Sequence, residues 1–89
     1  MIKRLITHIT GGQTMIPIID VEETGKRIKA HMKRIGLTAV DVQKELNLTC
    51  VASVYHWIHG RNLPTIDNLV VLSRLFGCKI DDILVVRWI

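Results

Sequence analysis

No run of apolar residues in this chain reaches the roughly eighteen needed to cross a bilayer as a helix, so no membrane partner is expected. The first residues carry Lys3 and Arg4, but Thr7, His8 and Thr10 interrupt any apolar stretch that could serve as a secretion signal. Cysteine is scarce. Cys50 and Cys78 are too few for a disulfide scaffold, and two reduced thiols in a cytoplasmic protein are the expected reading. No catalytic arrangement is present either. Ser53 and Ser73 lack a placed base and orienter, so an enzyme is not expected. Gly11-Gly12 is not followed by Gly-Lys-Ser/Thr, which excludes a phosphate loop. His56 and His59 stand three apart, but a structural metal site needs about four ligands. Neither metal nor cofactor is therefore expected. Internal repeats, low-complexity tracts and β-hairpin signals are absent from the pattern, as is any separate ligand-binding domain.

What remains fits one small helical domain. The 89 residues are 48% hydrophobic, enough for a modest core. The formal net charge is +4. Most of the excess precedes residue 35: Lys3, Arg4, Lys26, Arg27, Lys29, Lys33 and Arg34 stand against Asp20, Glu22 and Glu23. Such a balance suits a polyanion, although a solvated basic helix face has the same composition.

Residues 1–18 read as a poorly ordered N-terminal arm, within which Met15 could itself start translation. Residues 19–86 read as the folded domain, and 87–89 as an apolar tail. Asp20 with Glu23 begins a first helix, in which Val21, Gly25, Ile28, Met32 and Ile35 make an apolar stripe at spacings of three and four. Gly25 costs about 1 kcal/mol relative to Ala inside a helix, so it marks close packing against another backbone. Gly36 stops this helix. Thr38 caps the next, with Asp41 at capping-box spacing and Val42 and Leu46 on one face. Asn47 tolerates a left-handed turn, Leu48 points inward, and Thr49 caps a third helix with Val54 and Trp57 on its apolar face. Gly60 ends it. After Pro64, Thr65 caps a fourth helix carrying Leu69, Leu72, Leu75 and Phe76, closed by Gly77. Residues 80–84 read as a short fifth helix that starts beside a poor cap, Lys79. The apolar stretch 83–89 needs a cover, as core or as a contact between copies.

Residues 37–64, LTAVDVQKELNLTCVASVYHWIHGRNLP, carry a resemblance. Gly36-Leu37-Thr38, Val42, Leu46, Leu48, Val54, Trp57, Gly60-Arg61 and the run Leu63–Leu69 with Leu72 resemble, in order and register, the lambda-repressor-like (Cro/XRE-type) helix-turn-helix family. The resemblance covers residues 19–86. It implies an all-α, five-helix domain that binds double-stranded DNA as a homodimer, with helix 50–58 in the major groove. Its function would be that of a bacterial or phage transcriptional regulator, as a repressor.

With Val54 and Trp57 inward, the outward residues of the third helix are Val51, Ala52, Tyr55 and His56, with Ser53 at the edge and Thr49 and Cys50 at its start. His56 is the best donor to a base edge, Tyr55 offers a phenol, and Val51 and Ala52 offer only apolar contact, for example with thymine methyls. Tyr55 reads equally well as packing against the loop before the fourth helix. Arg61 and Asn62 stand where the family places a phosphate contact, and Thr38 caps a helix expected to cross the DNA backbone. Lys26, Arg27 and Lys33 would add to this if their face turns toward DNA. The chain departs from its relatives at several of these positions. Family members often have Gln or Arg at the place of Ala52, Lys or Arg at that of His56, Gln at that of Ala39 and Ala at that of Gln43. The expected reader helix therefore has no fixed positive charge, which shifts readout toward DNA shape and backbone. Val85, Val86, Trp88 and Ile89 are the expected dimer contact. The alternative is a protein-binding module, such as an antitoxin that masks a partner toxin.

Overall fold

The structure, a computed structural model, describes residues 9–10 and 13–89, with side chains from residue 15 onward. Among them are four α-helices: α1 (Val21–Ile35), α2 (Ala39–Glu45), α3 (Ala52–Ile58) and α4 (Ile66–Phe76). A single 3-10 turn follows at Ile80–Asp82. The described residues also include four short strands: β1 (Ile9–Thr10), β2 (Gln13–Thr14), β3 (Pro17–Ile19) and β4 (Val86–Trp88).

Local chemistry accounts for the helix ends. The Asp20 carboxylate accepts the Glu23 amide at 3.0 Å, and the Thr65 hydroxyl accepts that of Asn68 at 3.2 Å. Thr38 and Asp41 form a reciprocal capping box at 3.2 and 2.9 Å. Left-handed residues then close all four helices: Gly36, Asn47 (φ 53°), Gly60 and Gly77. In each case the next amide reaches back to a carbonyl in the last turn, as Leu37 does to Met32, Leu48 to Gln43, Arg61 to His56 and Cys78 to Ser73.

The core joins all four helices and the 3-10 turn through Ile28, Met32, Ala39, Val42, Val54, Trp57, Leu69, Leu72, Phe76 and Ile83. Gly25 is buried, and a Cβ added there would run into the Trp57 carbonyl oxygen, with the Gly60 amide nitrogen 3.2 Å away. The close approach expected of this glycine is therefore the crossing of α1 over the end of α3. His31, for which the sequence offers no partner, is stacked on Phe76 with ring centroids 5.1 Å apart. Its Nε2 lies 3.2 Å from the Asp82 carbonyl and its Nδ1 3.2 Å from the Arg34 guanidinium, which also donates to the Phe76 carbonyl at 2.8 Å. Because Arg34 only donates, Nδ1 accepts and Nε2 carries the proton.

Three expectations require correction. The expected fifth helix over 80–84 is one 3-10 turn, so the α-helices among the described residues number four. Lys79 supplies no side-chain cap, and the turn closes instead when the Asp82 carboxylate accepts the Lys79 amide at 3.1 Å. The β-branched Val85 and Val86 then leave the turn extended. Second, the domain is mostly helical rather than all-α, because β3 and β4 pair antiparallel, Ile18 opposite Arg87. Ile16 and Ile89 extend the ladder by exchanging backbone hydrogen bonds at 2.7 and 2.9 Å, and the Asp20 amide reaches the Val85 carbonyl at 2.7 Å. The boundaries expected at 18/19 and 86/87 therefore run through this ribbon. Third, β1 pairs with β2, Ile9 opposite Thr14, against the expectation of no hairpin. A Gly-Gly pair between two short strands is itself a hairpin signal. The order of residues 1–8 and 11–12, and any partner of His8, lies outside the described residues.

Thr24 ties the ribbon to the helices. It is fully buried, and its hydroxyl accepts the Val85 amide at 2.9 Å. Cys78 is half-buried beside the core; burial first, and the nearby Asp82 second, push its thiol pKa up. Both cysteines are free.

Candidate nucleic-acid interface

The turn between α2 and α3 runs from Leu46 to Val51. The Gln43 side chain steadies it by donating to the Leu48 carbonyl at 3.2 Å. At the start of α3, Thr49 does not act as the cap. The helix begins at Ala52, and the Cys50 sulfur accepts the Ala52 amide at 3.4 Å in a weak contact. The expected helix 50–58 is thus shorter by two residues. Thr49 stands three residues before the first residue of α3, and the residue that precedes the helix, Val51, has no side-chain cap to offer.

The outward residues of α3 divide between two flanks. On the α4 side, Ser53, His56 and Asn62 meet Leu48, Trp57, Leu63, Thr65 and Asn68 around a concavity of about 260 Å³. On the α1 side, Tyr55 lies in a groove of about 340 Å³ with Lys29, Met32, Lys33, Leu37, Ala39 and Ile58. Tyr55 is 44% exposed and its ring stacks loosely on His59, centroids 6.0 Å apart. The residues outside α3 that share its groove thus come from α1, Leu37 and the start of α2, not from the loop before α4, which is one of its two readings in the sequence.

Of the ten candidate residues, Thr38, Thr49, Cys50, Tyr55, Arg61 and Asn62 are exposed, and Val51, Ala52, Ser53 and His56 are half-buried. Val51 packs partly against the core, so its outward role is smaller than the sequence pattern implies. Thr38 spends its oxygen on the Asp41 amide, leaving the hydroxyl proton free to donate. The Thr38 amide, with help from its side chain, holds the Asp41 carboxyl below its ordinary pKa. Thr49 and Cys50 line neither concavity.

Sequence reasoning missed three neighbours of this surface: Thr65 and Asn68 beside Ser53 and His56, and Lys29, which joins Lys33 around Tyr55. The four-residue spacing of Lys29 and Lys33 is a signal that both lie on one face. Lys26 and Arg27 instead line a different groove with Glu23, Ala30 and Val85. No group of three or more His, Cys, Asp or Glu residues able to hold a metal occurs among the described residues.

Two short helices at either side of a left-handed Asn47, set on a scaffold of α1 and α4, define a helix-turn-helix domain. A helix-turn-helix family model of the Cro/C1, XRE-like type matches residues 28–83, from the middle of α1 to the end of the 3-10 turn. The chain belongs to this family, whose domains are DNA-binding and regulatory. Comparison with curated proteins and with solved structures gave no match. No helix among the described residues is long and apolar enough to cross a membrane.

Proposed function

We propose that the protein is a sequence-specific transcriptional regulator, acting as a repressor, that inserts α3 into the DNA major groove. The observation that carries this reading is the division of α3 itself. Val54 and Trp57 anchor it in the core, while Ala52, Ser53, Tyr55 and His56 remain at least partly accessible on the other side. His56 is the base-edge donor, Ser53 and Tyr55 supply hydroxyls, and Val51 and Ala52 make apolar contact. Thr38, Thr49, Arg61 and Asn62 hold the backbone, with Cys50 at the helix start. The protein acts as a homodimer on half-sites about one helical turn apart. Val86, Trp88 and Ile89, exposed on the terminal ribbon, form the contact between copies.

The test is selection of bound duplexes from a random pool at low and at physiological salt. A two-fold motif that survives physiological salt is expected, and His56→Ala then blurs one base position within it. Binding that vanishes with salt and leaves no motif would sink this reading in favour of a partner-masking module, which the absence of fixed positive charge on α3 favours. Trp88→Ala is expected to shift the sedimentation coefficient toward that of a monomer; an unchanged value removes the ribbon from the dimer contact.

A further inference from the structure

We infer that Lys29 and Lys33, with the Tyr55 hydroxyl, form a phosphate clasp for the DNA strand on the α1 side of α3. This rests on the DNA-binding reading above and assigns that reading a residue set of its own. The five basic residues of α1 have three different surroundings. Arg34 is committed to the Phe76 carbonyl and His31. Lys26 pairs with Glu23 at 3.5 Å, and it lines with Arg27 a groove that contains this carboxylate. Lys29 and Lys33 are exposed, and neither ammonium group has a hydrogen-bond or ion-pair partner among the described residues. The groove they line with Tyr55 contains no acidic side chain.

The position of this groove determines what fits it. Its wall on α3 is Tyr55 with Ile58, and Leu37 and Ala39, which also line it, flank Thr38, the cap of α2. A helix seated in the major groove has a phosphate strand on each side. On the α4 side, the lining residues Ser53, His56, Asn62, Thr65 and Asn68 hold no fixed positive charge, and Arg61 is the neighbour of Asn62 in sequence. α3 itself has none. Two unpaired ammonium groups beside a phenol match a run of phosphates, and the Met32, Leu37 and Ile58 floor supports the lysine stems. An acidic amphipathic peptide would meet the same charges over the same floor, and the test separates the two.

The experiment uses the whole chain and a duplex from the selection, titrated by fluorescence anisotropy across a salt series. For every phosphate that is no longer neutralised, the slope of log K against log salt should fall by about 0.9. Lys29→Ala/Lys33→Ala is expected to lower it by about 1.8 on the same rule, with Lys29→Arg/Lys33→Arg retaining the slope. Lys26→Ala/Arg27→Ala, which removes the same charge, is expected to change it by less than half as much. Acetylation of Lys29 and Lys33 should slow when duplex is bound, while that of Lys26 should not. Circular dichroism of each variant checks that the fold is kept. Equal loss in both alanine pairs, or an unchanged slope in Lys29→Ala/Lys33→Ala while wild type still binds its motif, overturns the clasp and leaves the DNA reading intact. Protection of both lysines by a Glu-rich amphipathic peptide, with the duplex slope unchanged in the variant, assigns the groove to a protein partner and likewise overturns it. Absence of any salt-dependent duplex binding by wild type removes the DNA reading and the clasp together.

Discussion

The helix-turn-helix over Thr38–Gly60 and the terminal ribbon of β3 and β4 are held together in opposite ways. In the first, almost every defining contact spans three to five residues: the Thr38–Asp41 box, the Asn47 turn, the Gln43 bond to Leu48 and the Gly60 closure. In the second, Pro17–Ile19 meets Val86–Trp88 from the far end of the chain, and the bond from the Val85 amide to buried Thr24 spans 61 positions. One region is specified by its own residues, whereas the other exists only once the helices between its strands have packed. The proposed reader surface belongs to the first region, and the proposed contact between copies to the second.

Gly25→Ala is the most severe test of how α1 is joined to the helix-turn-helix. Helix propensity alone predicts a gain of about 1 kcal/mol. The approach of the Trp57 carbonyl predicts instead a loss of about 2–3 kcal/mol from overpacking. Urea denaturation distinguishes the two by sign, and stabilisation would refute the close crossing. Thr24→Val keeps the shape but removes the acceptor for the Val85 amide. About 1–3 kcal/mol is the expected cost of leaving that amide unpaired, with amide exchange faster in β4 than in α3. Uniform acceleration across the chain would mean that ribbon and helices open as one unit. Thr38→Ala removes a local cap and should cost about 1 kcal/mol, with the ribbon amides unaffected at low denaturant.

The smallest effect concerns pH. The Asp41 carboxyl is held below its ordinary value, so its contribution is complete above that value, 3.8, and is lost as pH falls through the lower value of the folded state. Asp41→Asn should therefore lower the denaturation midpoint at neutral pH, and the gap from wild type should close in strong acid. A gap that does not vary with pH would show that the carboxylate charge adds nothing to the box.

The elements of the helix-turn-helix are legible residue by residue. Thr38, Thr65 and Asp20 as caps, Asn47 and three glycines as left-handed ends, and Val54 with Trp57 as the buried pair all stand where their local chemistry requires. The failures have a common origin. Thr49 misleads because its hydroxyl stands two positions before Val51, the residue at the helix start, and helix onset is set by how α3 docks. The fifth helix over 80–84 fails because Lys79 offers no side-chain cap, so the segment makes only one 3-10 turn before the chain enters the pairing of Val86–Trp88 with Pro17–Ile19. Thr24 escapes notice because a threonine on a helix carries no sign that a strand amide will arrive.

For the candidate interface, the sequence alone determined which side of α3 is buried, because Val54, Trp57 and the helical repeat leave no other choice. It also determined that α3 carries no fixed positive charge. Only the tertiary structure decided that Ser53 and His56 border α4, that Tyr55 borders Lys29 and Lys33, and that Lys26 and Arg27 face Glu23 and Val85. Caps and turns arise from atoms a few bonds apart along the backbone. The neighbours of a side chain across a groove depend on the angle at which two helices cross, and that angle is set by the whole core at once.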